Sequence, residues 1–264
     1  MTIAKDLLET QQSESDIEVT ELPPTNLDSK EPPLETELHL RQILLLIQML
    51  ENLWQDRQDF YAFGNLTIYY SLNQKKSEEF RGPDFFVVLN TERKSRKSWT
   101  VWEENGKYPN VIVELLSDST QKVDRTEKKQ IYQDIFRTPE YFWFSPETLE
   151  FKGFHLVEGQ YQELSLNEEG KFWSEQLQLF LGIHERKLRF FTLEGGLAPT
   201  PEESAQIEKQ QRQSVAQRLE ATEQELDSTE QQLQATQERL EAERQRNQRL
   251  MAKLQELNID LEEL

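Results

Sequence analysis

The chain has 264 residues and a formal net charge of −19, with 36% hydrophobic and 30% charged residues and no cysteine. That balance is too polar for one compact globule of this length, so part of the chain is expected outside any core. The lack of cysteine excludes disulfides, thiolate zinc sites and cysteine nucleophiles, and fits a reducing, cytoplasmic setting.

The acidity is unevenly spread. Residues 1–37 hold ten acids and two bases, residues 202–264 fifteen and eight, and the segment between them twenty-four and twenty. Most of the excess charge therefore lies on the flanks and says little about what the middle binds, although overall acidity opposes tight non-specific duplex binding. The longest apolar run, Ile43 to Leu50, contains Gln48 and is too short to span a bilayer, so no membrane partner is expected. His39, His155 and His184 are too far apart in sequence to suggest a histidine metal site.

In chain order, residues 1–37 are rich in Glu, Asp, Ser, Thr and Pro and are expected to form a disordered acidic tail. A folded domain is expected over 38–200. Leu40, Ile43, Leu44, Ile47, Leu50, Leu53 and Trp54 recur at three and four, predicting an amphipathic helix from Leu38 to Trp54. Strands are predicted over Asn65–Ser71, Phe85–Leu89 and Val111–Leu115, each short and rich in β-branched or aromatic residues. A helix from Val123 to Phe136 follows, with Ser117 to Thr120 placed to cap it. Next come a strand at Tyr141–Phe144, a hairpin of Leu149–Leu156 and Tyr161–Leu166 around Glu158-Gly159, and a strand at Leu188–Leu193. This order predicts an α/β fold with a mixed central sheet flanked by helices.

Three residues carry the chemistry. Asp84 follows Gly82-Pro83 at the head of one strand, Glu114 ends the apolar run Val111-Ile112-Val113, and Lys128 follows Asp124-Arg125 on the next helix. Two acids at strand ends can hold Mg²⁺, which takes oxygen ligands and keeps several waters, while an ammonium stabilises charge growing on a phosphate. Blander readings stay open: Pro83-Asp84 also suits an ordinary turn, and Glu114 could be half of a structural ion pair with Lys128 or Arg125.

The order Gly82-Pro83-Asp84, Glu114-Leu115-Leu116-Ser117, Asp124-Arg125 with Lys128 and Tyr132, then Glu140 to Phe144, resembles the Uma-type restriction endonuclease family of the PD-(D/E)XK nuclease superfamily. The resemblance covers about residues 38–200. It implies a restriction-endonuclease-like core and a Mg²⁺-dependent endonuclease, with Mn²⁺ as a substitute and DNA as substrate. It assigns Asp84 and Glu114 to the metal, with the backbone carbonyl of Leu115 completing the shell, and Lys128 to the scissile phosphate or attacking water. One departure is plain: Leu116 stands where the superfamily pattern has lysine, and the lysine matched in the family sits on the following helix. On an α-helix Gln121, Asp124, Lys128 and Tyr132 share roughly one face, with Lys129 rotated by about 100°. Glu51 on the first helix is a candidate further ligand.

Basic clusters at Lys75-Lys76 with Arg81, at Arg93-Lys94 with Arg96-Lys97, and at Lys122, Arg125, Lys128 and Lys129 are either phosphate contacts or solvated surface; Trp99 and Trp102 either stack on bases or pack. In residues 201–264, Leu219, Leu226, Leu233, Leu240, Leu254 and Leu261 recur every seven residues, with Asn247 in the gap. This predicts a coiled-coil helix and a homo-oligomer through 215–264, its flanking charges favouring an antiparallel pair. Two functions fit the chain: an endonuclease whose coiled coil brings two active sites together, or a non-catalytic nuclease-fold scaffold that assembles partners through that helix. Nothing in the sequence separates DNA from RNA or from a structured DNA intermediate as substrate.

Overall fold

The computed structural model describes residues 24–29, 36–70, 80–117 and 124–256, and the chain divides into two compact units, residues 1–200 and 201–264. The first unit opens with helix α1 (Glu37–Leu53). Thr36 caps it, its hydroxyl accepting from His39 N–H at 3.2 Å, and Glu37 lies in the first turn, where a negative charge suits the helix dipole. The helix is where the heptad-like spacing predicts it, but its buried face is rotated. Gln42, Ile43, Leu46, Met49 and Leu50 point inward, while Leu40 and Leu44 are exposed. Gln42 accounts for the turn of the face, because its side-chain amide donates to Leu188 O at 2.9 Å and accepts from Leu188 N–H at 3.0 Å. The side chain thus satisfies a buried strand backbone that would otherwise be costly to bury.

The main sheet has six strands in the order β1-β4-β6-β7-β8-β9. These are β1 (Phe60–Phe63), β4 (Phe85–Leu89), β6 (Val111–Leu115), β7 (Glu140–Phe144), β8 (Phe151–Val157) and β9 (Gln160–Glu163). Only β6 and β7 are parallel, joined through helical segment α2; the other neighbours are antiparallel, so the sheet is mixed as expected. α2 runs from Asp124–Lys128 through Lys129–Ile131 to Tyr132–Phe136, with wide i→i+5 turns in its first and last parts. It stops at Arg137, whose φ of 52° is left-handed. The β8–β9 hairpin turns at Glu158 (φ 51°) and Gly159 (φ 83°), the two positive dihedrals that a tight two-residue hairpin loop requires.

Two further sheets cover the main one. The meander β10 (Lys171–Ser174), β11 (Leu179–His184) and β12 (Lys187–Phe191) joins α1 on one face, its Phe172, Leu179, Leu181, Leu188 and Phe190 packing with Ile43, Leu46, Phe85, Val113 and Phe142. On the other face lie α2 and the small sheet β3-β2-β5, formed by β2 (Ile68–Tyr69), β3 (Phe80–Arg81) and β5 (Trp99–Thr100). There Ile68, Trp99, Tyr132 and Phe136 pack with Phe86, Ile112, Tyr141 and Trp143. Burial on both faces explains the solid apolar runs of β4, β6 and β7.

Several expectations are corrected. The strand predicted over Asn65–Ser71 shortens to Ile68–Tyr69 and belongs to the small sheet, and β1, β10 and β11 were not foreseen. Within the expected disordered tail, residues 24–29 instead lie against the small sheet. Ser98 Oγ donates to Leu27 O at 2.7 Å, Tyr69 OH to Asp28 O at 3.0 Å and Trp102 Nε1 to Pro24 O at 3.0 Å. Backbone carbonyls, rather than apolar side chains, anchor this strap, so its polar composition did not reveal it. Residues 1–23 and 30–35 of the expected tail, Lys75-Lys76, residues 118–123 with all of the expected cap but Ser117 and with Gln121 and Lys122, and the terminal Leu257, Leu261 and Leu264 lie outside the described residues.

The described residues of the second unit form one helix, α3 (Pro201–Glu256), 56 residues long, with Pro201 at its first position and Glu202 and Glu203 in its first turn. No helix among the described residues is long and apolar enough to cross a membrane.

Candidate active site

Pairing between β4 and β6 creates the site. Phe85 faces Val113 and Phe86 faces Ile112 in antiparallel register, so Asp84, one step before Phe85, comes opposite Glu114. Because side chains alternate, both residues share the face of Phe86 and Ile112, the face covered by α2. Asp84 Oδ2 accepts from Leu115 N–H at 2.7 Å, and Asp84 N–H points at Glu114 Oε2 at 3.4 Å. Gly64 and Asn65, just after β1, hold the Asp84 turn from the other side. Asn65 N–H is shared between the carbonyls of Pro83 and Asp84, at 3.1 and 3.2 Å, and a Cβ on Gly64 would lie 2.2 Å from Asp84 O.

α2 supplies the remaining groups. Lys128 Nζ donates to Glu114 Oε2 at 3.0 Å, and Tyr132 OH donates to Glu114 Oε1 at 2.6 Å. Glu114 is fully buried, whereas the Lys128 side chain is 19% exposed and stands at the rim. Lys129 turns away, as its position in the helix predicts, and its ammonium lies 3.5 Å from the Phe154 ring centroid. Burial lowers the pKa of that ammonium.

The electrostatics centre on Glu114. Burial pushes its carboxyl up to about 7. The Lys128 ammonium pulls the other way, Asp84 adds to the rise through its charge and a hydrogen bond, and the Tyr132 hydroxyl opposes it. Two carboxyl groups side by side at a sheet end, one of them desolvated, form a site that a cation stabilises. Among the described residues no group of three or more His, Cys, Asp or Glu comes together. Two carboxylates with water in the remaining positions suit Mg²⁺, which often takes only one or two protein carboxylates.

Asp84, Glu114 and Lys128, some forty residues apart at the extremes, thus converge as the sequence suggested, and Leu115 joins them. Its described contact, however, is the N–H donated to Asp84, where a carbonyl ligand was expected. The ion-pair reading of Glu114 is also realised, with Lys128 as partner. Other candidates lie elsewhere. Glu51 pairs with Arg93 at 3.0 Å. Trp99 is fully buried and donates to Lys107 O, so it packs and does not present a stacking surface. Lys94, Arg96 and Lys97 pair with Glu92, Glu104 and Asp28, so acids neutralise this basic cluster. Gly64 carries no signal in the linear chain, because its role depends on a backbone brought close only by folding.

Residues 16–189 match the Uma2 family, described as "Putative restriction endonuclease". The chain belongs to that family. The Uma2 match takes in β4, β6, α2 and all four side chains of the site. No curated protein matches the chain. Among solved structures it is similar to the crystal structure of a putative nuclease belonging to DUF820 from Anabaena variabilis, with 10% identity over 56% of this chain and 77% of that one and a TM-score of 0.39.

Proposed function

We propose that the chain is a metal-dependent endonuclease that hydrolyses phosphodiester bonds in DNA, working in the cytoplasm. The observation that carries this reading is the buried Glu114 carboxylate held by Lys128 and Tyr132 beside Asp84, in a chain of a restriction endonuclease family. Asp84 and Glu114 would hold Mg²⁺, or Mn²⁺ in its place, together with the Leu115 carbonyl. The cation would lower the pKa of a bound water and neutralise charge on the phosphodiester.

The chain's own residues have distinct tasks in this reading. Tyr132 fixes the Glu114 carboxylate by a short hydrogen bond, so its orientation does not depend on the ligand. Leu115 N–H and the Gly64-Asn65 turn fix Asp84 in the same way. Lys128, at the rim, brings a positive charge to where the phosphoryl oxygens become more negative as the P–O bond to the leaving sugar breaks. An ammonium serves here as a compact point charge.

Supercoiled plasmid incubated with Mg²⁺ or Mn²⁺ tests the reading against Asp84→Ala and Lys128→Ala. Metal-dependent nicking or linearisation is expected from the wild type, with a loss of about a hundredfold or more in each variant. A wild type silent on plasmid, single-stranded DNA and RNA would instead favour the scaffold, in which the same cluster serves only as a buried ion pair.

A further inference from the structure

α3 carries a second message that does not depend on the site. Over its 56 residues the apolar side chains form a stripe with nothing against it among the described residues: Leu219, Leu226, Leu233, Leu240 and Leu250 are each at least half exposed. A straight helix of this length with leucine every seventh residue buries that stripe by pairing with a similar helix. We propose that the occupant is α3 of a second copy, and that the two helices run antiparallel.

The charges beside the stripe choose the direction. With the leucines at position a, a parallel in-register pair places Glu225 against Glu230 and Arg239 against Arg244, each twice, and stacks Glu243 on its own copy in the seam; only Arg218 against Glu223 is favourable. Reversing one helix so that Leu226 meets Leu250 changes this. Glu230 then faces Arg244 and Glu225 faces Lys253, each pair occurring twice, while Glu243 is separated from its own copy and lies opposite Leu233. Leu240 meets Thr236, Leu254 meets Thr222, and Asn247, whose self-pairing would favour the parallel arrangement, meets Thr229. The one repulsion along the reversed seam is Arg239 with its own copy near the twofold axis.

This register has a consequence for the dimer. Its axis passes near Glu238, so at a rise of ~1.5 Å per residue the two Pro201 ends lie about 110 Å apart. An antiparallel coil therefore sets the two points at which the chains enter it far apart.

The full chain lacks cysteine, so single cysteines introduced by Ala221→Cys or Ser228→Cys give unambiguous spin-label pairs. The expected distances are ~50 Å at Ala221 and ~30 Å at Ser228, against less than roughly 20 Å at both in a parallel dimer. Sedimentation should show a dimer that Glu230→Arg weakens about tenfold and that Arg244→Glu added to it restores. In a parallel pair Glu230→Arg would relieve the clash with Glu225 and tighten the dimer. A monomer, a larger assembly, two equally short distances, or a tighter Glu230→Arg dimer would each overturn the proposal.

Discussion

Replacing Lys128 by methionine removes a charge and little volume, and its effect should depend on pH in a way that only a counterion can produce. Glu114 has its carboxyl raised from 4.5 to about 7 with Lys128 in place. In the wild type the folded state therefore keeps a proton between those two values that the unfolded state has lost. Stability from this group is full below 4.5, falls as pH rises to about 7, and is flat beyond, a total of roughly 3 kcal/mol. Without the ammonium, the folded carboxyl stays protonated to still higher pH, so the decline continues above 7 at about 1.4 kcal/mol per pH unit. Between about pH 5.5 and about pH 8.5 the gap between variant and wild type should thus widen by about 2 kcal/mol. Urea unfolding followed by tryptophan fluorescence measures it cleanly, because all five tryptophans lie between Trp54 and Trp173 and none is in α3. A gap that stays constant across that range would show that Lys128 is not the counterion of Glu114, and the electrostatic account of the site would fall with it.

Two further substitutions probe how the site is held. Gly64→Ala puts a Cβ 2.2 Å from Asp84 O and 2.5 Å from an Ile43 methyl, and should cost about 1–3 kcal/mol while weakening plasmid cleavage more than Ala62→Gly does; an unchanged melting temperature would mean that the turn yields freely. Glu140→Ala removes the carboxylate that accepts from Ser174 Oγ, Glu175 N–H and Gln176 N–H, tying β7 to the turn after β10, and should destabilise by about 3 kcal/mol in the same unfolding assay. A loss below ~1 kcal/mol would show that water replaces the carboxylate there.

Glu140 also illustrates how far the sequence could be read. It sits in the run Glu140 to Phe144 that helped to suggest the family, yet its buried contacts are with the β10 turn, a part of the chain for which no strand was predicted. The strands β10 and β11 alternate well enough, with Phe172 and Ser174, then Leu179 and Leu181, facing inward. Their shortness and the polar turns around them hid the pattern. β1 failed for the opposite reason: three of its four residues are buried, so it shows no alternation at all. α1 was legible in extent but not in orientation, because a glutamine, Gln42, occupies the centre of its buried face.

Local pattern alone determined what local physics controls: the leucine spacing of α3, the spacing of α1, the apolar runs of β4, β6 and β7, and the placement of one acid at the head of β4 and another at the end of β6. Those signals depend on neighbours a few residues apart, whose periodicity is written directly in the chain. Tertiary structure decided the rest. Antiparallel register set Asp84 across from Glu114, α2 delivered Lys128 and Tyr132 to the two oxygens of one carboxylate, and covering layers removed that carboxylate from water. Burial and long-range register depend on residues remote in sequence, and so does the raised affinity of Glu114 for a proton.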